Sequence, residues 1–497
     1  MKNKIFIKNN IENAAASWMK PSVVVALIAI LFFGASCNKF LDVRPEGELI
    51  EKDLLVDANG FESALYGVYG TLNNKALYGE QLSHNMVDVL AQYFTCAGNN
   101  NVDNLLKYNY AFTSVETILN DAWAKQYSNI TYANNVLKNL ERFSPSTLQY
   151  YNVYKGEALG LRAFMHFDLV RLFTENIKLN PTASGIPYST DFSINAPKFV
   201  RLDSVYNYII ADLTQAENLL SEDANVMSFP KVNGSYPFLK DRETHFNLYA
   251  VQATLARVYL TKGDHANAAL YAEKVINSGK FQLLTKTELG NGVGKGMVAP
   301  KEAIFGLFNQ ALFTTVRDRF LLQTTFYSYD NRSNINQIYN GITEGHDYRW
   351  DAYFKLPSNQ VEKLRFSKLV DNFQLNDQEY LRPADYIKGT NMIRLPEMYY
   401  IAAEALLSTN PDKARDYFDI VLKSRGITAL KDRVPAVDLT VDLISEDRYK
   451  EFIGEGQSFF NMKRLNSNII NTALQTVPAS KAIYVLPIPK NEFDYRN

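Results

Sequence analysis

Residues 245–281 read HFNLYAVQATLARVYLTKGDHANAALYAEKVINSGKF, and this stretch decides the fold. Leu248, Val251, Leu255 and Val258 recur at spacings of three, four and three, which puts them on one face of a helix. Ala250, Ala253 and Ala256 between them let another helix approach closely. Gly263 suits the left-handed conformation that ends a helix, and Asp264 can cap the next one. Ala268, Ala272 and Val275 form a second stripe, closed by Ser278 and Gly279. The spacing predicts an antiparallel helix pair with a tight turn.

Residues 399–426, YYIAAEALLSTNPDKARDYFDIVLKSRG, repeat the pattern. Ala256, Leu260, Ala268, Val275 and Ser278 correspond in order to Ala403, Leu407, Ala414, Val421 and Ser424, with one residue fewer in the turn. A single helix pair cannot bury its own apolar face, so such units stack on neighbours. The pattern is that of a tetratricopeptide repeat with large insertions. An ordinary two-helix packing used twice is the plainer alternative.

Outward from these pairs, Phe61, Leu65 and Val68 have helical spacing, as do Trp123, Tyr127, Ile130 and Asn134. Asn134 on that stripe reads as a buried, bonded amide. Residues 157–173 form a strong helix with Leu161, Met165, Leu169 and Leu172 on one side, and residues 206–220 form another. Residues 301–309 alternate as a strand does. Residues 443–465 read as an amphipathic helical region, and two prolines keep the C-terminal stretch out of helix. Two regions resist this reading. Residues 72–110 look like Asn-rich loop around one short helix, and residues 313–382 are the least periodic part of the chain. A loop as long as the second within a domain is usually functional or disordered, and its aromatic content argues against disorder.

The 497 residues, 46% of them hydrophobic, are ample for a large core. Length alone allows two or three domains. Net charge is −1 and no strongly basic stretch follows the N-terminal region, which argues against a nucleic-acid partner. Only Cys37 and Cys96 are cysteines, too few for a disulfide framework if Cys37 is used otherwise. Lys20 precedes an apolar run from Val23 to Phe33, too short to cross a bilayer but right for the core of an export signal. Gly34, Ala35 and Ser36 lead into Cys37. This resembles a bacterial lipobox, with Gly34 where Leu is usual; a plain signal peptide with a chance cysteine is the alternative. The expected organisation is a signal peptide over 1–36, lipidation at Cys37, a tether over 37–50 and one domain over 51–497. Met19 is a possible start.

Catalytic sets are absent from the pattern. The five histidines make no HExxH and no metal-spaced pair. LGNGVGK at 289–295 is not a phosphate loop, because Leu289 stands where the first glycine belongs and Gly296 follows Lys295. Asp88 and Asp330 are the pair of carboxylates left open for glycoside chemistry. No metal or cofactor is expected.

Several stretches resemble one family in order: CNKFLDVRP, AWAKQYSNITYANN, ATLARVYLTKGDHANAALYAEKVINSGKF, KEAIFGLFN, RLPEMYYIAAEAL, RYKEFIGEGQSFFNMKRL and VLPIPKNEF. Together they resemble the SusD/RagB family, surface nutrient-binding lipoproteins of Bacteroidetes. The resemblance implies a mostly α fold: a SusD-like scaffold of four tetratricopeptide-like units with large irregular insertions and a few short strands. It implies anchoring at the outer membrane and a partner, a TonB-dependent transporter of the SusC type, over which the protein sits as a lid. It also assigns the ligand to the irregular insertions. Two departures stand out. Ser458 and Asn461 occupy positions where the family usually has Arg and Asp, and Thr174-Glu175-Asn176 follow the 157–173 helix where a Gly is common.

A sugar offers apolar faces to flat rings and hydroxyl edges to Asn, Asp and Arg. The residues expected to bind ligand are Tyr93, Asn99 and Asn101 in the first irregular region, and Tyr327, Tyr329, Arg332 and Tyr339 in the second. Trp350 is left out because DYRWDAYF resembles a structural family motif. Three functions compete: glycan binding and delivery to a transporter, peptide binding on the same fold, and a repeat-protein adaptor with no small ligand.

Overall fold

The computed structural model describes residues 54–193, 195–231, 236–322, 338–339, 345–355, 364–382, 386–473 and 475–494. The export signal, Cys37, the tether, Tyr327, Tyr329, Asp330 and Arg332 lie outside the described residues.

Asn247 starts the first helix of the deciding pair by accepting from the Tyr249 and Ala250 amides at 2.9 and 3.0 Å. That helix ends at Lys262, and Gly263 follows at φ 82°. Asp264 accepts from the Asn267 amide at 3.1 Å and opens the second helix. In the second pair the second helix opens alike, with Asn410 as cap and Pro411 in its first turn, but the helix before it starts at Leu395 without a side-chain cap bond and ends without a left-handed residue. The correspondence extends to detail: Ser278 Oγ donates to the Val275 carbonyl and Ser424 Oγ to the Val421 carbonyl, each at 2.7 Å.

The principal helices are α1 (Ala58–Leu72), α2 (Thr113–Leu140), α3 (Tyr151–Phe173), α4 (Leu202–Leu219), α5 (Leu248–Lys262), α6 (His265–Ile276), α7 (Leu395–Leu406), α8 (Pro411–Ser424), α9 (Val441–Glu451) and α10 (Ser458–Leu465). From α1 to α8 each helix packs on the next, and α9 packs on both α7 and α10. This is the serial stacking of a helical repeat protein. The small residues do what their size allows: Ala250, Ala253, Ala256, Ala268, Ala272, Ala403 and Ala414 are all buried. In α3 burial runs around the whole helix and not along one side. Its two glycines mark the closest approaches. A Cβ at Gly160 would sit 2.5 Å from the Phe246 ring, and one at Gly156 would sit 2.6 Å from Leu220.

The strand expected at 301–309 is β2 (Ala303–Phe308). It pairs antiparallel with β3 (Ile387–Arg394), which pairs on its other edge with β1 (Met297–Val298). This sheet spans the long insertion between α6 and α7, so the insertion leaves and rejoins the stack at one place.

Two expectations are corrected. The first irregular region holds two short helices, Met86–Leu90 and Asn100–Leu106. Their sequences are too short to show a period. The region 443–465 is two helices, because Gly454 and Gly456 take φ of 84° and 68° between α9 and α10. A Cβ at Gly456 would come within 2.4 Å of the Leu82 carbonyl oxygen.

Candidate functional site

The two irregular regions, some 200 residues apart in sequence, meet through aromatic rings. Phe94 of the first lies 5.1 Å from Phe320 and 5.5 Å from Phe366 of the second, centroid to centroid. Phe366 continues to Phe354 (5.9 Å), which touches Tyr339 (5.2 Å) and Trp350 (5.3 Å). An ion pair from Arg319 to Glu80 at 2.7 Å bridges the same regions. These rings are buried and form one apolar floor.

Tyr93 and Tyr339, expected to offer ring faces to a ligand, lie in or beside this floor and are each 1% exposed. The Tyr93 ring stacks on Tyr449 at 4.1 Å, and its hydroxyl meets the Tyr449 carbonyl and Ser458 Oγ. The Tyr339 hydroxyl donates to the Lys450 carbonyl at 2.8 Å. Burial pushes both phenols well above their ordinary range, so each is held as a neutral donor. The correction has a simple cause: a segment without helical stripes still needs anchors, and large rings with one polar tip supply them. Asn99 and Asn101 remain partly exposed. Asn99 Oδ1 caps the Asn100–Leu106 helix through the Asn101 and Val102 amides (3.1 and 3.2 Å), and Asn101 Oδ1 accepts from Ser114 Oγ. Both side chains are thereby oriented from their oxygen ends.

Beside these rings lies a cluster of buried charges that sequence reasoning missed. Arg349 donates to Asp347, Asp447 and Glu451. Arg394 reaches Glu302, Glu451 and Glu455, and Arg425 reaches Glu302 and Glu451. Burial alone would raise the Glu451 carboxyl, but Arg425, Arg394 and Arg349 hold it well below the usual carboxylate range. The cluster ties α8, α9, the sheet and the 347–353 segment to one point. A signal for it existed. Glu302, Arg349, Arg394, Glu451 and Glu455 all fall inside the family-like stretches quoted above.

The remaining polar candidates have structural partners. Asp88 is fully buried and accepts from the Gly454 and Gly456 amides at 2.6 and 3.1 Å. Burial raises its carboxyl despite those bonds. It fixes the turn between α9 and α10. His166 Nδ1 donates to the Arg162 carbonyl (2.8 Å) and Nε2 accepts from the Ser189 amide (3.0 Å), with burial lowering the ring to about 3. Asn134 bonds Ser189 and Arg162, as its place on the stripe implied. Cys96 is buried. Among the described residues no three His, Cys, Asp or Glu side chains gather as a metal site, and no helix is long and apolar enough to cross a membrane.

Two family models match the chain in sequence. One, described as starch-binding and associating with the outer membrane, covers residues 39–260; the other, the SusD family itself, covers residues 291–494. The chain belongs to the SusD/RagB family. Among curated relatives, SusD-like protein P2 of Formosa agariphila is 24% identical over 347 residues, 68% of this chain and 60% of that protein. The chain thus spans less than two thirds of that relative's length. Among solved structures, a SusD superfamily protein from Bacteroides thetaiotaomicron superposes with TM-score 0.70 at 23% identity, covering 88% of this chain and 98% of the other. A laminarin-binding SusD-like protein superposes with TM-score 0.60 at 19% identity, covering 88% and 98%. These likenesses confirm the mostly helical SusD-like fold.

This SusD-like chain compensates its departures locally. Ser458 bonds Tyr93, and Asn461 Nδ2 donates to Ser445 while its Oδ1 accepts from Arg464. Where a glycine is common, Thr174 Oγ1 donates to the Val170 carbonyl at 2.6 Å, and Lys463 Nζ collects the Arg171, Leu172 and Thr174 carbonyls. A cation at those last carbonyls ends α3 without a left-handed residue.

Proposed function

We propose that this SusD-like protein binds oligosaccharide at the cell surface and passes it to a TonB-dependent outer-membrane transporter, without catalysing a reaction. The convergence of the two aperiodic regions on one aromatic floor carries this reading. In this reading Asn99 and Asn101 bond sugar hydroxyls, and Tyr327, Tyr329 and Arg332 supply ring faces and a further polar contact to the ligand. Tyr93 and Tyr339 act as buried anchors on the 449–458 region. Family membership and the laminarin-binding structural neighbour support a glycan. Two or three rings at about 0.5–1.5 kcal/mol each beyond area burial give the modest affinity that suits handover. Cys37, acylated, would hold the protein on the outer membrane, since each buried methylene contributes about 0.8 kcal/mol.

A glycan and peptide array on the purified protein tests the reading. Saccharide binding that weakens in both Tyr327→Ala and Tyr329→Ala supports it. Binding of peptides alone moves the protein to the RagB branch, and silence on both overturns the ligand site. Co-purification from outer membranes tests the transporter, and mass spectrometry of the N-terminal peptide tests Cys37.

A further inference from the structure

Four guanidinium groups from distant parts of the chain line one small cavity: Arg171 on α3, Arg257 on α5, Arg448 on α9 and Arg464 on α10. Its volume is about 20 Å³, room for one water-sized species. The carboxylates that answer these cations are Asp168 on Arg171, Glu397 on Arg257 and Arg448, and Glu404 on Arg464. Three anions face four cations. Neutral Gln457 and Asn461 also line the cavity, and each accepts from one of the arginines. Lys463, bound to backbone carbonyls, lies nearby, and burial together with Arg171 lowers it to about 7.

The shortage of negative charge shows in the hydrogen bonding. Arg171 Nε, Arg257 Nη1, and Arg448 Nε and Nη1 are buried and have no hydrogen-bond partner. Arg448 is the least satisfied. It is 5% exposed, and its contact with Glu397 is 3.6 Å, an ion pair too long for a hydrogen bond. Buried N–H groups without acceptors are rare in folded proteins, and buried unpaired charge is costly. Burial, together with Arg464 and Arg257, lowers Arg448 in spite of Glu397 and Glu404.

We infer that this cavity binds a single small monovalent anion of halide size, which accepts from Arg171, Arg257 and Arg448 and neutralises the surplus cation. Phosphate, sulfate and carboxylate ligands are too large for the space. The anion would join α3, from the first half of the chain, to α5, α9 and α10, and so act as a structural ion of the scaffold. It is independent of the sugar-binding reading, because every residue in it belongs to the helical stack or its edges.

Urea denaturation of the full chain, in sodium chloride against sodium gluconate at equal ionic strength, tests this. Gluconate cannot enter so small a cavity. At chloride 100-fold above its Kd the folded-to-unfolded ratio rises about 100-fold. Asn461→Asp places a carboxylate beside Arg464, and Arg448→Met removes the surplus cation; in both, the response to chloride is lost. Crystals grown with bromide should show an anomalous peak among Arg171, Arg257 and Arg448. Equal stability of the wild type in the two salts, a chloride response kept in both variants, or a water without anomalous signal would each overturn the assignment.

Discussion

The helical stack and the 347–371 insertion segment bury their side chains by different means. In α5 and α6 most of the buried groups are Leu, Val and Ala at helical spacing, packed on neighbouring helices of the stack, with Arg257 of α5 paired to Glu397 of α7. In the insertion they are Arg349, Trp350, Phe354 and Phe366: Asp447 and Glu451 reach the arginine and Phe94 reaches Phe366 from far along the chain, while Trp350 and Phe354 pack on each other and Phe354 on Phe366. A stacked repeat can rely on many weak apolar contacts, each replaceable. A segment without repeats must rely on a few strong, specific ones. Loss of one anchor should therefore cost more in the insertion than in the stack.

The sharpest way to break that contrast is Glu451→Gln. It leaves Arg349, Arg394 and Arg425 short of a shared carboxylate, and removing one partner of a buried ionic group costs about 3–5 kcal/mol. Equilibrium urea unfolding should show a loss of that size. A loss below 1 kcal/mol would mean that the cluster is dispensable. Leu255→Ala in the stack is the matched control. It should cost about 3 kcal/mol as a buried cavity and leave glycan binding intact in the protein that remains folded.

Acid titration sharpens the comparison, because the stack holds buried ionic groups of its own, Arg162–Asp212, Arg257–Glu397 and Glu157–Arg242 among them. Glu157 on α3 is fully buried among Arg242, His245 and Tyr69. Burial would raise its carboxyl, yet Arg242 and His245 bring it from 4.5 down to about 2. A depressed carboxylate stabilises the fold above the unfolded value near 4.5, and that contribution is lost as pH falls toward 2. The expected loss is about 3 kcal/mol across this window. Urea midpoints measured from pH 6 to pH 2 should be flatter in Glu157→Gln than in the wild type. Parallel profiles would refute the role given to Glu157.

The smallest expected effects fall on the ligand face. Tyr327→Ala and Tyr329→Ala should each weaken saccharide binding by about 1 kcal/mol, five- to tenfold in Kd, with thermal stability unchanged. Calorimetry with the best array ligand reads this directly. A large stability loss in either variant would make these tyrosines anchors like Tyr93 and Tyr339.

Sequence alone determined the scaffold, because helix formation and helix-pair packing are read from neighbours three and four residues apart. Gly263, Asp264 and the Ser278/Ser424 equivalence were legible for that reason, as was the strand expected at 301–309. The family resemblance was legible too, in stretches that turn out to carry the buried charges. Only the tertiary structure decided what those charges bind, that Tyr93 and Tyr339 face inward, that Asp88 holds a glycine turn, and that four arginines converge on one cavity. Each of these depends on residues brought together from distant positions, and one-dimensional spacing holds no record of such distances.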